Sequence, residues 1–186
     1  MKRLVFLLEE KSAEVLLKGI LPRVLPANIS TFFVTFEGKS DLEKNVERKM
    51  RCWCQPDSYF VVMRDQDSGD CRQIKTRLLR KCANAGRSDA LIRIACHELE
   101  SFYLGDLAAI ETAYGLRLPS QRSRKYRTPD SLENAANELK RITKNEYQKI
   151  DGSRRISEHM KLDGSNRSTS FNMLISGIKR IVLDMQ

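Results

Sequence analysis

Two aspartates stand one residue apart, Asp65 and Asp67, at the end of the apolar run Tyr59-Phe60-Val61-Val62-Met63-Arg64. The run is β-branched and aromatic and follows Pro56-Asp57-Ser58, so it reads as a buried strand. Alternate residues of a strand share a face, which predicts that both carboxylates point at one ion. Hard divalent cations such as Mg²⁺ take oxygen ligands of this kind. Two further acidic groups follow apolar runs. Glu9-Glu10 closes Leu4 to Leu8, with Glu14 a helical turn further on, and His97, Glu98 and Glu100 follow residues 90–95. Strands of one parallel sheet open their carboxyl ends on a common edge, where open α/β folds bind ligands. Carboxylates gathered there repel one another and are costly to bury without a cation or a raised pKa. A Mg²⁺ or Mn²⁺ ion among Glu9, Asp65 and Asp67 removes that conflict. Taken singly, Glu10, Asp70 and Asp106 read at least as well as helix caps or solvated charges. His97 alone reads as a structural histidine.

The elements that must position these residues alternate. Apolar runs at 4–8, 31–36, 59–63 and 90–95 read as strands. Between them lie helical patterns. The first carries Val15, Leu16, Leu17, Ile20 and Leu21 on its apolar face and is expected to be capped by Ser12. The second spans 42–53, with Leu42, Val46 and Met50 at four-residue spacing, Ser40 as its expected cap and Glu43 completing a capping box. The third, 71–83, is basic. Gly38-Lys39-Ser40 lacks the first glycine of a phosphate loop and is too short for one. The order β-α-β-α-β-α-β predicts an α/β fold with a mostly parallel four-stranded sheet flanked by helices. After residue 97 the pattern turns helical: 98–113, broken near Gly105-Asp106, then 131–143, 153–161 and 168–184, with a polar loop at 117–130. This divides the chain into an α/β core at 1–115 and a helical C-terminal extension at 116–186 packed on it.

The 186 residues carry a formal net charge of +9 and are 41% apolar. The chain can bury a core, and its charge points to an anionic partner, nucleic acid first. Arg72 and Lys75 on the third helix, Lys11 and Lys39 beside the acidic strand ends, and Arg124 and Lys125 in the loop are the expected phosphate contacts. Tyr126 is placed to stack on a base. The same loop reads equally well as a solvated surface. Five scattered cysteines and no signal-like leader read as reduced thiols in a cytosol. Cys52-Trp53-Cys54 is too tight for zinc-ligand spacing. No stretch approaches the length needed to cross a membrane.

A glutamate ending the first strand and Asp-x-Asp ending a later one resemble the TOPRIM fold of primases, topoisomerases and overcoming-lysogenization-defect nucleases. The series Leu8-Glu9-Glu10-Lys11-Ser12-Ala13-Glu14, Gly38-Lys39-Ser40-Asp41-Leu42, Asp65-Gln66-Asp67-Ser68, Glu98-Leu99-Glu100-Ser101-Phe102 and Ser170-Phe171 resembles the prokaryotic family called domain of unknown function 4276. The resemblance implies a TOPRIM-like Rossmannoid core. It implies Glu9 as general acid/base, Asp65 and Asp67 as metal ligands, and Glu14 with the Glu98/Glu100 pair as further acidic positions able to hold a second metal. It also implies an ATPase partner encoded elsewhere, in a phage-defence or mobile-element setting. One departure stands out: the family often has glycine where this chain has Glu10.

Two functions follow as expectations. The first is a metal-dependent nuclease, with Asp65 and Asp67 holding the ion and Glu9 activating the nucleophile. The second is a non-catalytic nucleic-acid-binding or ATPase-regulated module of the same fold. A phosphotransfer receiver also gathers acids at strand ends, but the order of acids and the basic charge fit it poorly.

Overall fold

A computed structural model describes residues 2–185. Four strands, β1 (Arg3–Leu8), β2 (Ser30–Thr35), β3 (Ser58–Asp65) and β4 (Leu91–Ala95), form one sheet in the order β2-β1-β3-β4. All three pairings are parallel. The sequence predicts a mostly parallel sheet, and the sheet is wholly so. The physical reason lies in the strands themselves. Leu4, Phe6, Leu8, Val61 and Met63 face one apolar layer, while Val5, Leu7, Phe60 and Val62 face a second. A strand buried on both faces needs a continuous apolar run, and β1 and β3 have one.

Helices α1 (Lys11–Ile20), α2 (Lys39–Arg51) and α3 (Cys71–Asn84) connect the strands. Helices α2 and α3 cover the second layer through Leu42, Val46, Met50, Ile74 and Leu78. The first layer is covered by α1 together with the C-terminal helices: α4 (Glu100–Leu104), α5 (Leu107–Tyr114), α6 (Ala135–Ile142), α7 (Lys149–Ser157) and α8 (Thr169–Asp184). Tyr147, Ile156, Phe171, Leu174 and Ile178 share one core with Leu4, Phe6 and Val61. Residues beyond 115 therefore build one face of the sheet's sandwich.

Several local expectations are corrected. Ser12 and Ser40 lie inside their helices, and the N-cap positions belong to Glu10 and Gly38, neither with a side-chain cap bond. Gly38 adopts φ 96°, which glycine alone takes without strain, and this draws the helix start upstream of Ser40. Asp70 and Asp106 do cap, accepting from the Gln73 and Ala109 N–H groups at 2.8 and 3.3 Å. Helix α7 begins four residues earlier than 153. The break at Gly105-Asp106 separates α4 from α5. All five cysteines are free thiols. Among the described residues no helix is long and apolar enough to cross a membrane.

Candidate functional site

The strand order places the switch point of the sheet between β1 and β3: the chain leaves β1 toward one edge and returns on its other side. Ligands of open α/β sheets bind where the connections diverge, at the carboxyl ends of such strands. Glu9 and Asp65 stand there. Leu8 pairs with Met63, so the two acids follow adjacent strand ends. The backbone of Glu9 is pinned on both sides, its N–H donating to Met63 O at 3.2 Å and its carbonyl accepting from Gly38 N–H at 3.0 Å. Its carboxylate accepts the Asp65 N–H at 3.0 Å and lies 3.7 Å from Arg64 Nε.

Strand periodicity sends Asp65 and Arg64 to opposite faces. The Asp65 carboxyl feels the charges of Glu10, Glu100 and Glu9. Burial raises its pKa well above the ordinary carboxylate value, and Glu10, Glu100 and Glu9 push it further. Burial likewise raises Glu9, against the pull of the Asp65 N–H and Arg64. Glu100 is fully buried. Its Oε1 accepts from Tyr147 Oη at 2.9 Å, while its Oε2 has no partner. Burial raises its pKa too, opposed first by Lys149. Glu10 completes the group, accepting from Ser12 Oγ and from Lys149 Nζ at 3.1 Å.

Asp67 meets this group from the other side, its charge raising Glu9 and Arg64 lying between the two. The expectation that Asp65 and Asp67 share a strand face is corrected, because β3 ends at Asp65 and the alternation ends with it. Asp67 takes a left-handed conformation at φ 53°, as does His97 at 56°. Its N–H donates to His97 O at 2.8 Å. Two adjoining non-glycine residues in this region store backbone strain, which tends to collect at functional sites. The Asp67 carboxylate pairs with Lys39 at 2.9 Å and Arg64 at 3.5 Å. It lines an open cleft of about 390 Å³ with Lys39, Glu43, Arg64 and Arg77. Arg64, almost wholly buried, links both sides, since its Nη1 also meets Glu43 at 2.6 Å.

The remaining acids are engaged elsewhere. Glu14 is buried and receives Lys11 at 2.8 Å, Lys18 at 2.7 Å and Thr35 at 2.8 Å. Burial opposes its ionisation, but those three donors outweigh it and hold its pKa at about 2. The Glu98 carboxylate accepts the Ala136 N–H at 2.7 Å, at the start of α6. Among the basic candidates, Arg72, Lys75 and Arg124 are exposed. Lys125 pairs with Glu138 at 2.6 Å. The expectation of a stacking Tyr126 is corrected: the ring is buried and its hydroxyl donates to Glu138, so no face is open to a base.

By donor type, Glu9, Glu10, Asp65 and Glu100 fit a hard divalent cation, and the orphaned Glu100 Oε2 is an unused oxygen among them. As they stand they do not enclose one: among the described residues no three His, Cys, Asp or Glu side chains have metal-holding geometry. Tyr147 and Lys149 escape sequence reasoning, and Glu10, read singly as a cap or solvated charge, makes no side-chain cap bond and pairs with Lys149. Lys149 comes from α7, far from the strand ends in sequence, and no spacing signals it.

A family model described as Domain of unknown function (DUF4276) matches residues 8–179. The chain belongs to that family. The matched segment takes in Glu9, Glu10, Asp65 and Glu100 and the C-terminal residues Tyr147 and Lys149 that contact Glu100 and Glu10. No curated protein and no solved structure matches the chain.

Proposed function

We propose that the chain is a divalent-cation-dependent nuclease whose reaction centre lies at the switch point, among Glu9, Asp65 and Glu100. The observation that carries this reading is the placement of Glu9 and Asp65 on adjacent strand ends at the switch point, joined by the Asp65 N–H, with the buried Glu100 Oε2 left without a partner; burial raises the proton affinity of all three on a chain of net charge +9. Groups whose burial and mutual repulsion disfavour ionisation are the ones a cation relieves, and such shifts concentrate at functional sites. Asp65 and Glu100, with Glu9 or Glu10, would hold Mg²⁺ or Mn²⁺. When bound, the ion supplies charge neutralisation at a scissile phosphate and acidifies a coordinated water. Glu9, with its raised pKa, is suited to take a proton from the attacking water. Arg64 and the Asp65 N–H fix the direction of its carboxylate. Lys39 and Arg77 in the cleft, with Arg72 and Lys75 along α3, give phosphate contacts without sequence choice.

A TOPRIM relationship belongs to the same proposal, supported by an acid after β1 and another ending β3. So do a cytoplasmic defence role and a separately encoded ATPase partner, which rest on the resemblance alone. The pairing of Asp67 with Lys39 and Arg64 favours a second reading, a nucleic-acid-binding module without turnover. Purified chain incubated with plasmid, single-stranded DNA and tRNA in Mg²⁺ or Mn²⁺ separates the two. Cleavage abolished in Asp65→Asn is the expected result. Cleavage that survives this substitution removes the proposed chemistry, and binding without cleavage in either protein leaves the second reading.

A further inference from the structure

Two arginines distant in sequence share one hollow. Arg127, near the end of the polar loop, and Arg167, just before α8, line an open cleft of about 520 Å³ with Thr128, Ser131 and Thr169. Both arginines are exposed, and among the described residues neither side chain makes an ion pair or a hydrogen bond. Other cations at the clefts and the rim are matched: Lys39 by Asp67, Arg77 by Glu43, Lys125 by Glu138 and Lys149 by Glu10. Unmatched like charges over one hollow repel, and an anion between them relieves that repulsion. The acid in the cleft cannot do so. Asp130 is spent on the start of α8, accepting from Ser168 Oγ at 2.6 Å and the Ser170 N–H at 2.7 Å.

The backbone that carries each arginine is fixed. The Arg167 N–H donates to Gly105 O at 2.8 Å. Asn166, only 4% exposed, accepts the Ser168 N–H at 2.7 Å and donates to Phe102 O at 3.0 Å. A β-carbon on Gly105 would collide with Asn166 Oδ1, so this turn is packed as closely as a glycine permits. On the other wall, Tyr126 is buried against Glu138 and Pro129 is buried beside it in the chain. Each guanidinium thus projects from a rigid mount into a shared hollow. A planar fork held in this way matches the oxygens of a phosphate two at a time.

This hollow is one of a series. The cleft of Lys39 and Arg77 shares Gln66, Asp67 and Ser68 with a second polar cleft of about 420 Å³, whose far side is His97, Glu133 and Asn134. Glu133 lies two positions past Ser131, so the second cleft leads on to the one that holds the arginines. We propose that the three clefts form one track for a single strand of DNA or RNA, with Arg127 and Arg167 as a phosphate clamp at the end opposite Lys39 and Arg77. The inference rests on reading the partner as nucleic acid, which both functions above share, and it requires no metal. A duplex, stiff over about 150 base pairs, cannot lower its backbone into successive hollows, whereas a single strand can turn its phosphates into each. The basic loop then contributes a phosphate contact through Arg127 in place of the base stacking that burial denies Tyr126.

The test is fluorescence anisotropy of a labelled single-stranded oligonucleotide with the full chain, in EDTA, at several salt concentrations. Arg127→Gln combined with Arg167→Gln is expected to weaken binding at least tenfold and to lower the salt slope by about 0.7 for each lost phosphate contact. Lysine at both positions should restore the slope but not the full affinity, because the charge returns without the fork. Lys140→Gln combined with Arg180→Gln removes the same charge from exposed sites outside the clefts and should leave affinity nearly unchanged. A duplex of the same sequence should bind at least tenfold more weakly than the single strand. Asp65→Asn should bind as the wild type does, which separates the track from the reaction centre. Circular dichroism checks that each variant is folded. Equal losses in the two double glutamine variants reduce the clamp to diffuse charge and overturn it. Undiminished affinity without the arginine pair overturns it too, and leaves the cleft to another anion such as an acidic protein surface. A duplex that binds as tightly as the strand overturns the track, while cleavage that depends on Asp65 would still stand.

Discussion

The backbone N–H of Asp65 donates to Glu9 Oε2 at 3.0 Å, so the last residue of β3 orients the carboxylate that follows β1. The bond is made by the backbone and survives any change of side chain at position 65. Asp65→Asn therefore keeps Glu9 in place while removing one charge from the centre. Nuclease activity is expected to fall by more than the roughly 10–100-fold that loss of an outer-shell partner costs. Thermal stability at neutral pH is expected to rise, because a carboxylate disfavoured by burial and by three neighbouring acids is gone. Parallel activity and melting measurements check both halves.

The raised carboxyls set the pH dependence of the metal-free protein. Their ordinary values are 3.8 for Asp65 and 4.5 for Glu9 and Glu100, and the folded state lifts all three. A group whose pKa is raised by folding contributes stability fully below its unfolded value, and this is lost as pH rises through the folded one. Melting temperature without divalent ions is thus expected to fall as pH climbs from about 5 toward neutrality. Mn²⁺ should restore it at neutral pH and do little near pH 5, where protons compete for the same oxygens. A melting series with and without Mn²⁺ reads this directly, and in Asp65→Asn the slope should flatten.

Glu14 behaves in the opposite sense. Its pKa is held at about 2, so its contribution is fully present above the ordinary value of 4.5 and is lost as pH falls from there toward about 2. Glu14→Gln is expected to cost about 1–2 kcal/mol at neutral pH, from loss of charged hydrogen bonds to partly exposed lysines. Mn²⁺ binding should be untouched, because Glu14 faces Lys11, Lys18 and Thr35 instead of the rim. Chemical denaturation beside a Mn²⁺ titration checks the pair of outcomes.

Tyr126 and the α3 cations separate packing from nucleic-acid contact. Tyr126→Phe deletes a hydroxyl that donates to Glu138 and is expected to cost about 1–2 kcal/mol of stability. Affinity for single-stranded DNA should not change. Arg72→Gln and Lys75→Gln should leave stability alone, weaken binding across all sequences and lower the salt slope by about one per lost phosphate contact. Binding isotherms at several salt concentrations distinguish the two sets.

What the sequence discloses here depends on how local the cause is. The continuous runs of β1 and β3 announce strands buried on both faces, and the acids after them were visible as strand-end residues. Asp67 departs from strand alternation because it lies past the end of β3, where φ turns positive. Glu98 and Glu100 look alike in sequence, two residues apart. Helix α4 begins between them, and only Glu100 turns inward. Tyr126 resembled an exposed aromatic among cations, and its burial against Glu138 depends on α6, which the loop's composition does not reveal. Lys149 and Tyr147 lie well over forty residues beyond Glu100, so only tertiary docking of α7 could disclose them.

That docking bears on how the molecule is made. The carboxylates come from residues 9–100, but Tyr147 and Lys149, which brace them, leave the ribosome after all of them. A nascent or prematurely terminated chain holds the acids without their braces. The braced arrangement of these acids is therefore set only once α7 has docked on α1.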